Sequence, residues 1–132
     1  MIINTRFLLG TSGVAMTALG LGLTFLPHEL AESLSISTTG AAPVVVQMLG
    51  ALYVAYGMLN WIAKGNPMGG IYGRPIGLAN LTHFLIGGLA LARGAADNQF
   101  ATPVTAAAAV YALFAVLFAI VVFGPPPFAR DG

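Results

Sequence analysis

The chain has 132 residues, of which 58% are hydrophobic and only 7% are charged, whereas roughly a quarter of the residues are charged in an ordinary soluble domain. So few charges cannot solvate such a surface, and we expect one small transmembrane domain that spans residues 1–132. The net charge of +1, without a basic run, argues against nucleic-acid binding. The lack of cysteine excludes disulfides, thiolate metal sites and cysteine nucleophiles.

Four apolar segments are long enough to cross a membrane as helices, which takes about 17 to 25 residues. The predicted spans are residues 7–26, 42–63, 75–96 and 102–124. The first is too long for a signal peptide and lacks a small-x-small cleavage site, so we expect it to be retained. The connection at residues 27–41 could hold one or two turns of surface helix. Short connections favour antiparallel neighbours, which predicts an all-α, up-down-up-down four-helix bundle.

The distribution of lysine and arginine predicts the orientation of this bundle. Most cations fall on one side of the predicted topology, and only Arg93 approaches the other. The cations on the first side are Arg6, Lys64, Arg74 and Arg130. The positive-inside rule then places both termini in the cytoplasm. Glu29, Glu32 and Asp97 fall on the opposite side, which agrees with this orientation although acidic residues contribute little to the rule.

Each predicted span carries a stripe of mostly small or polar residues at alternating three- and four-residue steps. The stripes are Gly10, Gly13, Thr17, Gly20 and Thr24; Gln47, Gly50, Val54, Gly57 and Trp61; Asn80, His83, Gly87, Ala90 and Gly94; and Thr105, Ala108, Ala112, Ala115 and Ala119. A repeat of about 3.5 residues keeps a seam facing its partner in a left-handed supercoil, and small residues let backbones approach. We therefore expect the stripes to form the bundle interior, with Leu, Phe and Val on the faces that meet lipid or protein. The fourth stripe has a competing explanation, because that span is rich in alanine on every face. The predicted helix-packing residues are Gly10, Gly13, Gly20, Gly50, Gly57 and Gly87.

His83 lies in an apolar run, at a depth of about 12 Å counted from the start of its helix at 1.5 Å per residue. An ionisable residue within a membrane span is a functional hypothesis by default. Three roles are open. In the first, a neutral imidazole donates a hydrogen bond to a side chain of the second span and holds two helices together. The candidate partners are Gln47, Asn60, Tyr53 and Tyr56.

In the second role, a His83 ring nitrogen binds a tetrapyrrole. Ala79 and Gly87 lie four residues before and after it, so the side chains on this helix face are small enough for a flat ring to approach. No other cofactor is expected. The Ala-x-x-x-His arrangement resembles that around chlorophyll-binding histidines in bacterial antenna helices. Because the other histidine, His28, is expected outside the hydrocarbon, bis-histidine haem ligation within one copy is excluded.

In the third role, the side chains around His83 line a polar cavity for a quinone, a small solute or a proton. The lining would include Asn60, Asn80, Tyr53 and Tyr56, with Arg74 at the cytoplasmic mouth. No predicted span contains an acidic residue, which argues against coupled transport. Neither a serine–histidine–acid set nor a cluster of metal ligands is available, so we expect no catalytic residues and no metal site.

Three pieces of the chain carry a family resemblance. They are Met48 to Trp61 (MLGALYVAYGMLNW), Gly69 to Pro75 (GGIYGRP) and Asn80 to Phe84 (NLTHF). Over residues 47–93 the chain resembles a group of small uncharacterised bacterial membrane proteins with an organisation similar to DoxX-like four-helix families. The resemblance implies a multi-pass bundle in the bacterial inner membrane and carries no activity with it.

These patterns favour a non-catalytic membrane protein that acts as an accessory or structural subunit of a larger complex or as a homo-oligomer. Its expected partners are the lipid bilayer and other membrane subunits or copies of itself. The alternative is a ligand-binding protein or small transporter with a polar site around His83.

Overall fold

The computed structural model describes residues 3–68, 71, 73–97 and 102–124 and forms five helices. They are α1 (Thr5–Phe25), α2 (Pro27–Ser33), α3 (Ala42–Ala63), α4 (Gly73–Ala96) and α5 (Thr102–Phe123). No strand occurs within these described ranges. Four residues named in the sequence analysis lie outside the described ranges. They are Arg130, which supports the predicted orientation, and Gly69, Gly70 and Tyr72, which belong to the family resemblance.

Helices α1, α3, α4 and α5 contain 21 to 24 residues each and are long and apolar enough to cross a membrane. They indicate a multi-pass membrane protein. The predicted boundaries hold to within two residues. Helix α1 begins early because the side chain of Asn4 caps it, accepting a hydrogen bond from the backbone N–H of Phe7 at 3.2 Å. Helix α4 begins before Pro75 because proline is tolerated in a first turn.

The connection between the first two spans does contain a short helix, α2. Pro27 starts it, where the missing N–H costs nothing, and the chain leaves it through Ser35, whose φ of 58° ends the helical path. Pro27 and Ala31 are buried against the long helices, whereas His28, Glu29 and Glu32 are exposed. Helix α2 is therefore an amphipathic element that covers one end of the α1 and α3 helices.

Helices α1 and α3 pack backbone to backbone through glycines. A Cβ added at Gly20 would lie 2.7 Å from the carbonyl oxygen of Gly50, and one added at Gly13 would lie 2.9 Å from that of Gly57. Both distances are too short for a real side chain, so only glycine permits this approach. Gly10, the remaining predicted packing glycine of α1, is half-buried near Lys64. A Cβ added there would lie 3.9 Å from Cδ of the lysine.

Helices α4 and α5 pack differently, with glycines against large side chains. A Cβ at Gly87 would lie 2.7 Å from Cε1 of Tyr111, one at Gly88 would lie 3.3 Å from Cβ of the same tyrosine, and one at Gly77 would lie 3.0 Å from Cγ2 of Val122. The glycines of α4 thus form a hollow that the ring of Tyr111 fills.

The two helix pairs meet through side chains, and these include large apolar residues. Leu9 and Phe118 have no exposed surface, and Phe84 and Leu8 retain 3% each. The expectation that Leu, Phe and Val would face outward is therefore wrong for this part of the structure. Where two pairs meet at a distance, large side chains fill the space that glycine would leave empty.

The prediction that the small-residue stripe of α5 faces the bundle interior is also wrong. Thr105 and Ala112 are exposed, and Ala115 is its only buried member. The buried residues of α5 are Val104, Tyr111, Ala115, Phe118 and Val121. In the α4 stripe Asn80 is buried but Ala90 is exposed, and the inward face of α4 continues instead through Leu81, Phe84 and Gly88.

Candidate functional site

The interior of the molecule holds a reciprocal pair of carboxamides near the end of α3. Nδ2 of Asn60 on α3 donates to Oδ1 of Asn80 on α4 at 2.7 Å, and Nδ2 of Asn80 donates back to Oδ1 of Asn60 at 2.7 Å. Both side chains are fully buried. In hydrocarbon an unpaired amide is costly, so each asparagine satisfies the other and the pair fixes α3 against α4.

The remaining polar atoms of this pair also have partners. The second N–H of Asn60 donates to Oγ of Ser12 on α1 at 3.1 Å, and that of Asn80 donates to the carbonyl oxygen of Ile76, one turn back on α4, at 2.9 Å. Ser12 donates in turn to the carbonyl oxygen of Leu9 at 3.2 Å. We call Ser12, Asn60 and Asn80 the amide cluster. It joins three of the four long helices.

A second polar group lies one turn beyond Asn80 along α4. It contains His83, Tyr53 and Tyr111, and we call it the His83–tyrosine cluster. Nε2 of His83 and the hydroxyl of Tyr111 form a hydrogen bond of 3.2 Å, in which the donor depends on the tautomer of the ring. The hydroxyls of Tyr53 and Tyr111 are also hydrogen-bonded to each other. This chain of three side chains connects α3, α4 and α5.

Aromatic rings surround the imidazole on several sides. The ring of Tyr56 stacks on it at a centroid distance of 5.4 Å, and Tyr53 and Phe84 approach edge-on at 5.3 and 5.1 Å. Tyr111 lies at 5.4 Å. Such distances are typical of packed aromatic pairs. The ring of His83 therefore has neighbours on α3, on α5 and on its own helix, while its residue as a whole is half-buried.

The other predicted site residues lie elsewhere. Gln47 is exposed near one end of α3, where its amide donates to the carbonyl oxygen of Thr24 at 3.5 Å. Arg74 is exposed in the first turn of α4. Of the four partners expected for the imidazole hydrogen bond, Asn60 bonds to Asn80 instead, and Tyr53 and Tyr56 contact His83 through their rings. The observed partner, Tyr111, lies on the fourth span.

Sequence reasoning missed Tyr111 and Ser12. Tyr111 is the only tyrosine in an alanine-rich helix, and a lone polar side chain at mid-span is the signal that could have drawn attention to it. Ser12 is harder to find because a serine within a helix commonly satisfies its own hydroxyl on the preceding turn. Ser12 does so through Leu9, and it still accepts from Asn60.

Chemically, both clusters consist of hydrogen-bonding side chains without a carboxylate, lysine or arginine among them. No buried side-chain nitrogen or oxygen within the described ranges lacks a partner. Carboxamides and a serine that bond to one another hold helices in a fixed register. The His83–tyrosine cluster contains the one ionisable imidazole at this depth, and it is the better candidate for contact with a ligand.

Comparison of the chain with family models, with curated proteins and with solved structures finds no significant match.

Proposed function

We propose that this chain is a non-catalytic multi-pass protein of the bacterial inner membrane that acts as an accessory or structural subunit, in a larger complex or as a homo-oligomer. The observation that carries the proposal is the complete pairing of the described buried polar side chains with one another. Because these fully buried atoms bond to one another, none of them is left for a substrate. The resemblance to DoxX-like four-helix families is part of the same proposal.

The outward faces support a role in assembly. Helix α3 exposes Leu52 and Ile62, at 64% and 74%, and α5 exposes Leu113 at 59%. In a bilayer these side chains meet either acyl chains or the helices of another subunit.

A genetically encoded photo-crosslinker placed at Leu52 or Leu113 tests directly which of the two these positions contact. We expect a discrete protein adduct from at least one of the two positions, and none from the control position Ser37 on the α2–α3 connection. Lipid adducts alone at both positions would refute the assembly role.

We further propose an up-down-up-down, left-handed bundle with both termini in the cytoplasm. The packing registers support antiparallel neighbours, because Gly13 lies against Gly57 while Gly20 lies against Gly50. Orientation can be tested with single cysteines, since the chain has none of its own. In intact cells an impermeant maleimide should label Ser37→Cys and should label Gly65→Cys only after permeabilisation. The reverse pattern would invert the proposed topology.

The alternative proposal is a ligand-binding protein or small transporter with its site at His83. The half-buried imidazole and its hydrogen-bonded tyrosines favour it, whereas the ring of Tyr111 over Gly87 occupies part of the space that a tetrapyrrole would need. An absorption spectrum and a solvent extract of the purified protein separate the two proposals. A Soret or near-infrared band, or a quinone retained by the native chain and lost in His83→Phe, would support the alternative and contradict the structural role.

A further inference from the structure

The outer face of the α1–α3 pair, away from both polar clusters, carries two adjoining grooves. One has a volume of about 430 Å³ and lies between the middle of α1 and the last turns of α3. The other has a volume of about 630 Å³ and lies at the start of α1 and the end of α3. Both are lined by Val14 and Trp61, so they form one continuous depression, which we call the α1–α3 groove.

The inner part of the α1–α3 groove is lined by apolar and small side chains. On α1 it runs from Gly13 past Ala18 to Leu21, and Met58 and Ile62 form the wall on α3. Measured along α1 from Arg6, Gly13 lies about 10 Å and Ala18 about 18 Å into the helix at 1.5 Å per residue. One leaflet of the hydrocarbon core is about 15 Å thick. From Arg6 to Ala18 the α1–α3 groove therefore runs through one leaflet and slightly beyond it, which leaves room for one acyl chain below the cations.

The outer part of the α1–α3 groove is cationic. Its lining includes Arg6 and Lys64, with the side chain of Asn4 beside them. The ammonium group of Lys64 lies 2.8 Å from the centre of the Trp61 ring. Tryptophan with lysine or arginine is the usual combination at the level of lipid headgroups.

Among the residues that the structure describes, no acidic side chain lines either part of the α1–α3 groove. Glu29 and Glu32 belong to α2, which follows the far end of α1, and Asp97 follows the end of α4. The fourth acidic residue, Asp131, lies outside the described residues. Among the residues described, Arg6 and Lys64 form no salt bridge with any of the other three, so their charges are available to an anion at the mouth of the groove.

We propose that the α1–α3 groove is a binding site for an anionic glycerophospholipid, with its phosphate at Arg6 and Lys64 and one acyl chain along Ala18 and Ile62. A cation pair above an apolar channel that is at least one leaflet deep fits both halves of such a molecule. A second copy of the chain fits less well, because two grooves that met about a parallel two-fold axis would bring their cations together. The proposal requires membrane insertion and is independent of the accessory role.

Trp61 makes the site directly measurable, because it is the only tryptophan in the chain and lines both parts of the groove. The protein is reconstituted in phosphatidylcholine vesicles that contain increasing fractions of phosphatidylglycerol with brominated acyl chains, and quenching of Trp61 is compared with that by brominated phosphatidylcholine. We expect phosphatidylglycerol to associate roughly 25-fold more strongly than phosphatidylcholine. From about 1 kcal/mol for each cation near the surface, the double variant Arg6→Gln, Lys64→Gln should lose roughly 25-fold of any such preference and each single variant about fivefold.

Matched variants separate the site from general surface charge and from misfolding. Arg93→Gln removes a cation from the end of α4 and should leave the preference unchanged. Ala18→Phe fills the inner part of the groove at an exposed position and should weaken quenching by both lipids, whereas Ala109→Phe, an exposed alanine of α5, should not.

Four results would overturn the proposal, the last of them with inorganic phosphate as the probe. One is equal quenching by the two brominated lipids, and another is an equal loss of preference in Arg93→Gln. The third is a dimer in which Val14→Cys forms a disulfide with its own copy and excludes the lipid. Inorganic phosphate serves as the probe for a headgroup-independent anion site. If millimolar phosphate abolished the preference while acyl-chain quenching by phosphatidylcholine persisted at full strength, an ion site would replace the lipid site.

Discussion

The reciprocal bonds between Asn60 and Asn80 predict a strong energetic coupling between α3 and α4. Hydrogen bonds between helices in a membrane contribute about 0.6 kcal/mol on average and at most about 1.7 kcal/mol, so the two bonds of 2.7 Å should contribute about 1 to 3 kcal/mol together. Full burial and short length place the pair in the upper half of that range. Each single substitution to Ala also leaves one carboxamide oxygen of the remaining asparagine without a partner, which adds to its cost.

A double-mutant cycle isolates the bonds between the two asparagines. Asn60→Ala also loses the bond to Ser12, and Asn80→Ala also loses the bond to the Ile76 carbonyl, but both losses recur in the double variant and cancel. The free energy of unfolding is measured in mixed micelles of rising dodecyl sulfate fraction, followed by circular dichroism and by Trp61 fluorescence. The double variant should be more stable than the sum of the single losses implies, by about 2 to 3 kcal/mol.

Thr11 provides the control for this cycle. Its hydroxyl donates only within its own helix, to the carbonyl oxygens of Phe7 at 2.9 Å and Leu8 at 3.1 Å. Thr11→Ala combined with Asn80→Ala should therefore be additive. A coupling energy between Asn60 and Asn80 below about 0.5 kcal/mol, equal to that of the control pair, would refute the reasoning, because separate sites show deviations of that size without any contact.

Three further predictions follow from the packing and from the His83–tyrosine cluster. Gly20→Ala should destabilise the protein by about 1 to 3 kcal/mol because its Cβ would meet backbone atoms of α3, whereas Gly65→Ala, with no atom within 4 Å, should change the free energy of unfolding by less than about 0.5 kcal/mol. Tyr111→Phe loses two hydrogen bonds and should destabilise more than Tyr53→Phe, which loses one, by roughly 1 kcal/mol in the same unfolding assay. His83→Phe keeps a ring among the aromatic neighbours and should lose less than about 1 kcal/mol, whereas His83→Ala leaves a cavity and should lose about 2 kcal/mol or more.

Each of these pairs has an outcome that contradicts its premise. Equal stability of the Gly20 and Gly65 variants would mean that α1 and α3 do not approach as closely as the structure shows. A larger loss from Tyr53→Phe would place the centre of the hydrogen-bond chain on α3 instead of α5. Equal losses from both His83 variants would show that the hydrogen bond, and not ring packing, is the main contribution of that residue.

The spans could be predicted from the sequence because membrane crossing depends on local properties, namely the length and hydropathy of one segment. The α1–α3 packing could also be anticipated. Glycines at seven-residue steps, Gly13 and Gly20 in one helix and Gly50 and Gly57 in the other, mark a face against a background of larger residues, and these four glycines lie together. Contrast between faces is what makes such a pattern informative.

Helix α5 lacks that contrast, and its interior could not be predicted in the same way. Alanine occurs on all its faces, so small size alone does not specify the direction in which the helix is rotated. The orientation of α5 is instead determined by fit, since the ring of Tyr111 enters the hollow at Gly87 and Gly88 and Phe118 fills the space beside Phe84. Such complementarity depends on two segments at once and cannot be predicted from the sequence of either segment alone.

The polar residues could be recognised from the sequence, whereas some of their partners could not. That Asn60, Asn80 and His83 need partners follows from burial in hydrocarbon, which is a property of each residue. Which partners they find depends on the separation of the helices. Glycine brings α1 within backbone contact of α3, and the two pairs then stand far enough apart for tyrosine, histidine and asparagine side chains to bridge them. Tyr111 reaches His83 because the glycines of α4 admit its ring, so the hydrogen-bond chain near the middle of the helices is a consequence of the same small residues that pack them.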